Sequence, residues 1–242
     1  CAMGYITAAA STTNGFHALT AANANLLETH ASQEQIETWV PRLRTGEFAG
    51  TMALSEPQAG SSLADMRTKA VAQDDGTYRI FGNKIWISGG DHELSSNIVH
   101  AVLARIEGAP PGVKGISMFI CPKFLLNEDG SVGARNDVQL AGLFHKMGGR
   151  GQTSTALNFG EGEGAVAYLV GEPHQGLRYM FHMMNEARVM VGTSGATLAM
   201  AGYQYSLDYA KERPQGRKAS SKDPLADPVM LIEHADVRRM LL

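Results

Sequence analysis

The sequence predicts an α+β multidomain chain: the end of a helical domain, a central β-barrel, and the start of a second, incomplete helical bundle. Two observations carry this expectation. Hydrophobic residues recur with helical spacing at the start, alternate in the middle, and return to helical spacing after about residue 171. The middle stretch also carries turn signals at the density of a small barrel or sandwich. With 242 residues, 44% of them hydrophobic, the chain has material for a sizeable core.

Residues 1–49 are rich in Ala, Leu, Asn and Gln. QEQIETWVPRL has helical patterning that Pro41 is expected to interrupt. The expected barrel occupies residues 50–171. Its first strand-like piece, Thr51–Leu54, should end at Glu56-Pro57. Beyond that turn, Ala59-Gly60-Ser61-Ser62 offers backbone N–H groups and two hydroxyls with little side-chain bulk. Such a loop is either an ordinary tight turn or a cradle for an anion.

DMRTKAVAQDDGTYRIFGNKIWISGG reads as strand, Asp-Asp-Gly turn, strand, Gly-Asn turn, strand. Its last piece alternates Lys84 outward, Ile85 inward, Trp86 outward. Further strands are expected at 97–106, 115–121, 154–160 and 165–171. The C-terminal piece, 172–242, opens with Leu177, Met180, Phe181, Met184, Arg188 and Val191 on one helical face. Helical character continues to about Arg213, roughly 50 Å at the standard rise. VGTSGATLAMAG reads as a close-packing surface. Arg188, placed on an apolar stripe, should be a buried charge that needs either an acidic partner or a polar or anionic ligand. DPVMLIEHADVRRMLL reads as an amphipathic helix whose apolar face is still running, so the chain is read as part of a longer protein.

The net charge of −3 and the absence of a Lys/Arg block argue against nucleic acid. Cys1 and Cys121 give no disulfide framework and no CxxC metal spacing, which fits a reducing cytoplasm. No stretch approaches the roughly 20 apolar residues of a membrane span, and no signal peptide is visible.

MALSEPQAGSS, KIWISGG, LFHKMGGRG, NEAR in the long helix, and AKERPQGR followed by IEHADVRRML occur in that order. With these motifs the chain resembles the acyl-CoA dehydrogenase family over essentially its whole length. The wording is most similar to the larger bacterial members, the 3-methylmercaptopropionyl-CoA and large fatty acyl-CoA dehydrogenases.

The resemblance implies an oxidoreductase that binds FAD and removes hydrogen across the α,β bond of an acyl-CoA, with electron-transferring flavoprotein as acceptor. It also implies a homodimer or homotetramer. Met52, Leu54 and Ser55 would lie along the flavin, and Gly60 and Ser61 at the pyrophosphate and acyl-CoA entry. Trp86, Ile87 and Ser88 would pack on the ring, with the Ser88 hydroxyl near N5; unaided, Trp86 reads first as a core residue, since large aromatics usually are. Asn185, where many members carry Asp, and Arg188 would serve the CoA side, together with Ser61.

Arg213 and Gln215 would reach the FAD of a neighbouring subunit, with His234 near the same cofactor, although ERPQGR lacks the usual aromatic-Gly pair. His145 and Lys146 fall in a family-like turn, structural or close to CoA. The catalytic Glu would lie beyond Leu242, because the alternative slot, immediately before the helix arginine, is Ala187. Glu186 points about 100° away from that slot. A flavin oxidase, a monooxygenase on the same fold, or a non-catalytic FAD- or CoA-binding relative would share these motifs.

Overall fold

In the computed structural model, residues 14–242 are described. The expected helical start therefore lies partly outside the described residues, as does Cys1. The described chain forms two compact units, one running to Arg188 and one comprising Val189–Leu242.

The first unit opens with helices α1 (Asn14–His30) and α2 (Gln33–Thr45). Ser32 and Gln35 close a capping box on α2, and Gly46 ends it in the left-handed region. Pro41 does not interrupt α2 as expected. Caps at both ends and a buried face of Trp39, Val40 and Leu43 offset the one backbone hydrogen bond that proline removes.

Ten strands follow: β1 (Phe48–Ala53), β2 (Lys69–Ala72), β3 (Tyr78–Ser88), β4 (Asn97–Ile106), β5 (Ile116–Pro122), β6 (Phe124–Leu126), β7 (Val132–Arg135), β8 (Val138–Leu143), β9 (Ser154–Phe159) and β10 (Ala165–Leu169). The pairings β4–β5, β5–β10, β10–β3, β3–β2 and β2–β4 return to their starting strand, which closes the barrel. β1 adds to β4 in parallel, and β9 and β8 extend from β3. Closure leaves an apolar interior that includes Ile80, Ile87, Val102, Phe119, Leu157 and Phe159. Outside it, α1, α2 and the start of the last long helix share a second core with β1, β4 and β5.

Two strand expectations need correction. Gly82-Asn83 is not a turn; β3 runs through it without a break. Gly82 is instead a point of close approach, since a Cβ there would stand 2.4 Å from Thr68 Oγ1. The alternation through Lys84 and Trp86 also fails. A β-bulge between Lys84 and Ile87 inserts one residue into β3 against β9, so Lys84 and Ile87 both point inward. Lys84 is fully buried rather than outward.

Helix α3 (Gly176–Glu212) is a single 37-residue helix. In its first turns Met180 and Met183 are buried, with Leu177 and Met184 packed against the same core. Phe181 and Arg188 turn outward, which corrects the stripe that placed Arg188 in the interior. In the second unit, Pro214 bridges Met230, and the final helix α4 (Ala235–Met240) is shorter than its amphipathic pattern suggested. Among the described residues no helix is long and apolar enough to cross a membrane.

Candidate functional site

The loop after β1 is organised by Glu56, a residue the sequence offered only as a turn former. Its side chain is buried and accepts from Lys84 Nζ (2.9 Å), Thr68 Oγ1 (2.5 Å) and the backbone N–H groups of Arg67 (2.7 Å) and Thr68 (3.0 Å). Gln58 Nε2 donates to the same carboxylate at 2.6 Å. Burial alone would raise the carboxyl's pKa. The Lys84 charge and these donors outweigh it and hold Glu56 below the usual carboxylate range. Burial pulls Lys84 down to about 8 against the pull of Glu56, so the pair is charged at neutral pH.

Lys84 Nζ also donates to the Leu54 carbonyl at 2.9 Å, and the Ile85 N–H donates to the Ser55 carbonyl at 2.9 Å. These two bonds fasten the Leu54–Ser55 segment beside the bulge of β3. Leu54 and Ser55 of the first motif are thereby joined to the strand of the second motif that carries Trp86 and Ser88. Gly60 and Ser61 sit exposed on the same loop, and Met52 is partly buried near the end of β1.

The bulge turns Trp86 out. It holds a φ of 62°, unusual for a large side chain, and its indole is 58% exposed. Phe144 stacks on that indole, with ring centroids 3.8 Å apart and planes 31° from parallel. Phe144 is a site residue the sequence reading missed. An aromatic directly after a strand of mixed burial gave no signal until the β8–β9 pairing carried it across to β3.

Ile87 is a different matter: its side chain lies in the barrel core, its carbonyl accepts from Thr155 Oγ1 at 2.9 Å, and its backbone pairs with Thr155 of β9, so it is a structural residue of the strand. Ser88 is half-buried opposite Ser154.

On α3, Arg188 is exposed, donates to Asn185 Oδ1 at 3.0 Å, and lies 5.4 Å over the Phe181 ring. Asn185 and Arg188 are thus brought together, but on the outer face. Glu186 accepts both oxygens' worth of bonds from Asn25 Nδ2 (2.9 and 3.0 Å) and lies 3.4 Å from His182 Nε2. In the second unit, His234 Nε2 meets the Gln215 carbonyl at 2.7 Å, and the Arg213 carbonyl accepts from the Leu231 N–H. Arg213, Gln215 and His234 therefore form one exposed cluster.

A flavin fits the first cluster on structural grounds. A large indole is held outward and mostly exposed, beside the Phe144 ring. The neighbouring loop supplies uncluttered N–H and hydroxyl donors at Ser55, Gly60 and Ser61.

The acyl-CoA dehydrogenase middle domain family matches residues 51–161. Over 224 residues the chain is 46% identical to the 3-methylmercaptopropionyl-CoA dehydrogenase of Ruegeria pomeroyi, covering 93% of this chain and 37% of that protein. It is 43% identical over 233 residues to a butyryl-CoA dehydrogenase of Syntrophomonas wolfei, covering 94% of this chain and 38% of the relative. The chain thus spans well under half the length of these relatives. The solved butyryl-CoA dehydrogenase of Megasphaera elsdenii superposes with a TM-score of 0.76 at 22% identity, covering 99% of this chain and 56% of that one, which supports the fold. With the motifs, the closed barrel and its flanking helices in agreement, the chain belongs to the acyl-CoA dehydrogenase family.

Proposed function

We propose that this chain supplies the flavin and CoA-facing part of an FAD-dependent acyl-CoA dehydrogenase that desaturates the α,β bond of an acyl thioester. The observation that carries this reading is the outward Trp86 beside Ser88, Leu54 and Ser55. When bound, FAD would accept the β-hydrogen as hydride.

The chain's own residues have narrower tasks. Trp86 offers one open aromatic face to the ring, with Phe144 fixing its orientation. Leu54 and Ser55 border the ring, Ile87 holds the strand behind it, and Ser88 presents a hydroxyl at its edge. Gly60 and Ser61 offer N–H and hydroxyl donors to phosphate oxygens. Asn185 and Arg188, joined by their hydrogen bond, offer a polar and cationic surface for the CoA side. Arg213, Gln215 and His234 are assigned to the cofactor of a neighbouring copy in a homodimer or homotetramer, and electron-transferring flavoprotein to the role of acceptor. Removal of the α-proton requires a carboxylate base, and that base is assigned to a Glu beyond Leu242.

The test is FAD content in the intact protein. Trp86→Ala should lower bound FAD and shift the flavin absorption bands, because stacked aromatic area is lost. Unchanged content and spectrum would remove Trp86 from the site.

A further inference from the structure

Beside the Trp86–Phe144 pair, the end of β8, the turn after it and the start of β9 line an open cavity of about 180 Å³. That is far above the ~10–15 Å³ that a single water needs. Its wall combines an apolar side, Leu143 and Phe144, with three groups that carry or can acquire positive charge: His145, Lys146 and Arg150. Gln152, Thr153 and Ser154 complete it, and no lining residue is acidic.

Three further details distinguish this cavity from a solvated basic turn. Arg150 Nε donates to the Lys146 carbonyl at 3.0 Å, which closes the turn and leaves the outer guanidinium nitrogens unengaged. Among the described residues neither those nitrogens nor Lys146 Nζ has a hydrogen-bonded or ionic partner. Gly149, at a φ of 59°, allows the chain to double back and brings Lys146 and Arg150 to the same opening.

We propose that this cavity is a binding site for a phosphoryl group, separate from the loop at Gly60 and Ser61. Arg150 supplies the planar pair of donors that matches two phosphate oxygens, Lys146 a second charge, and Gln152 a neutral donor. The group can arrive as a free inorganic oxyanion or as a phosphate of a nucleotide such as the adenosine bisphosphate end of CoA. The inference stands independently of the acyl-CoA reading, since it uses only the cavity's own donors.

The experiment uses the intact protein, inorganic pyrophosphate as first probe and adenosine 3′,5′-bisphosphate as second. Binding is followed by calorimetry and by protection of Lys146 from amine acetylation, located by peptide mass spectrometry. Pyrophosphate should slow acetylation of Lys146, and the double variant Lys146→Gln/Arg150→Gln should weaken its binding at least tenfold while keeping the parent's circular dichroism. If the nucleoside bisphosphate protects Lys146 at lower concentration than pyrophosphate, the site takes a nucleotide phosphate; equal or weaker protection assigns it to free oxyanions. Absence of protection by either probe, or a double variant that binds within twofold of the parent, overturns the proposal.

Discussion

Glu56 and Lys84 show what one buried ion pair does here. Glu56 ties β1's loop to Thr68 ahead of β2, and Lys84 ties the same loop to β3, so removing either partner leaves a buried charge and frees the Leu54–Ser55 segment. Breaking such a pair typically costs about 3–5 kcal/mol. Glu56→Ala should therefore lower the urea midpoint markedly and, with the loop released, also lower FAD content. A midpoint unchanged within error would show that the loop is held otherwise. The pH dependence follows from the depressed Glu56 pKa. Its contribution is complete above the unfolded value of about 4.3 and is lost as pH falls through the folded value, because the unfolded chain takes up the proton first. Urea midpoints measured from pH 6 downward should fall more steeply in the parent than in Glu56→Gln. Lys84 acts at the other end: between about 8 and 10.4 the folded chain releases its proton before the unfolded one, so this group makes stability rise with pH.

At the scale of elements, the one residue inserted into β3 determines what the site presents. Without the bulge, strict alternation would place Lys84, Trp86 and Ser88 on one face. With it, Lys84 and Ile87 go in, Trp86 goes out, and Phe144 from the strand pair beyond becomes its support. Phe144→Ala should loosen FAD about two- to tenfold in titrations of the apoprotein, the range expected for losing an aromatic pair; Phe144→Tyr should retain it. Equal affinity in Phe144→Ala would mean that the indole orients itself. This element also marks where sequence reading stops. Strand 97–106 was legible as a continuous apolar run, buried along nearly its whole length, and the helix from 176 by the helical spacing of its apolar residues. A bulge changes the period at one residue, and its cause lies in β9, some seventy positions away. Arg188 failed for a related reason. The expected stripe runs through Leu177, Met180, Phe181, Met184 and Arg188; Met180 is buried and Leu177 and Met184 pack on the core, while Phe181 and Arg188 face outward, and periodicity alone does not mark where the packed face ends. The loop motif at Leu54–Ser61 was visible as a candidate ligand loop, while the carboxylate that shapes it was hidden behind the ordinary appearance of Glu-Pro.

At the scale of the molecule, the question is which carboxylate takes the α-proton in the proposed reaction. Glu186 is the nearest candidate in sequence to the helix-borne position, and its surroundings speak against it. Asn25 donates to both of its oxygens, Arg44 donates to the Oδ1 of that same Asn25, and Arg44 is ion-paired with Glu28 at 2.7 Å. His182 lies on its remaining side. Glu186 is thus the end of a chain of polar contacts that joins α1 and α2 to α3, a task that fixes its orientation toward the helices. A general base needs its oxygen free and within hydrogen-bond reach of the proton it removes. The slot one residue on, which would rotate a carboxylate by about 100°, is Ala187. Glu186→Gln should keep the rate of flavin reduction by acyl-CoA, under anaerobic single-turnover conditions, within about tenfold of the parent. Loss of a true general base typically costs about 10²–10⁴-fold. The same substitution removes one charge from the helix contact, so a modest drop in thermal midpoint should accompany the nearly unchanged rate. A collapse of flavin reduction in Glu186→Gln, with acyl-CoA still bound, would place the base on α3 and overturn its assignment to a Glu beyond Leu242.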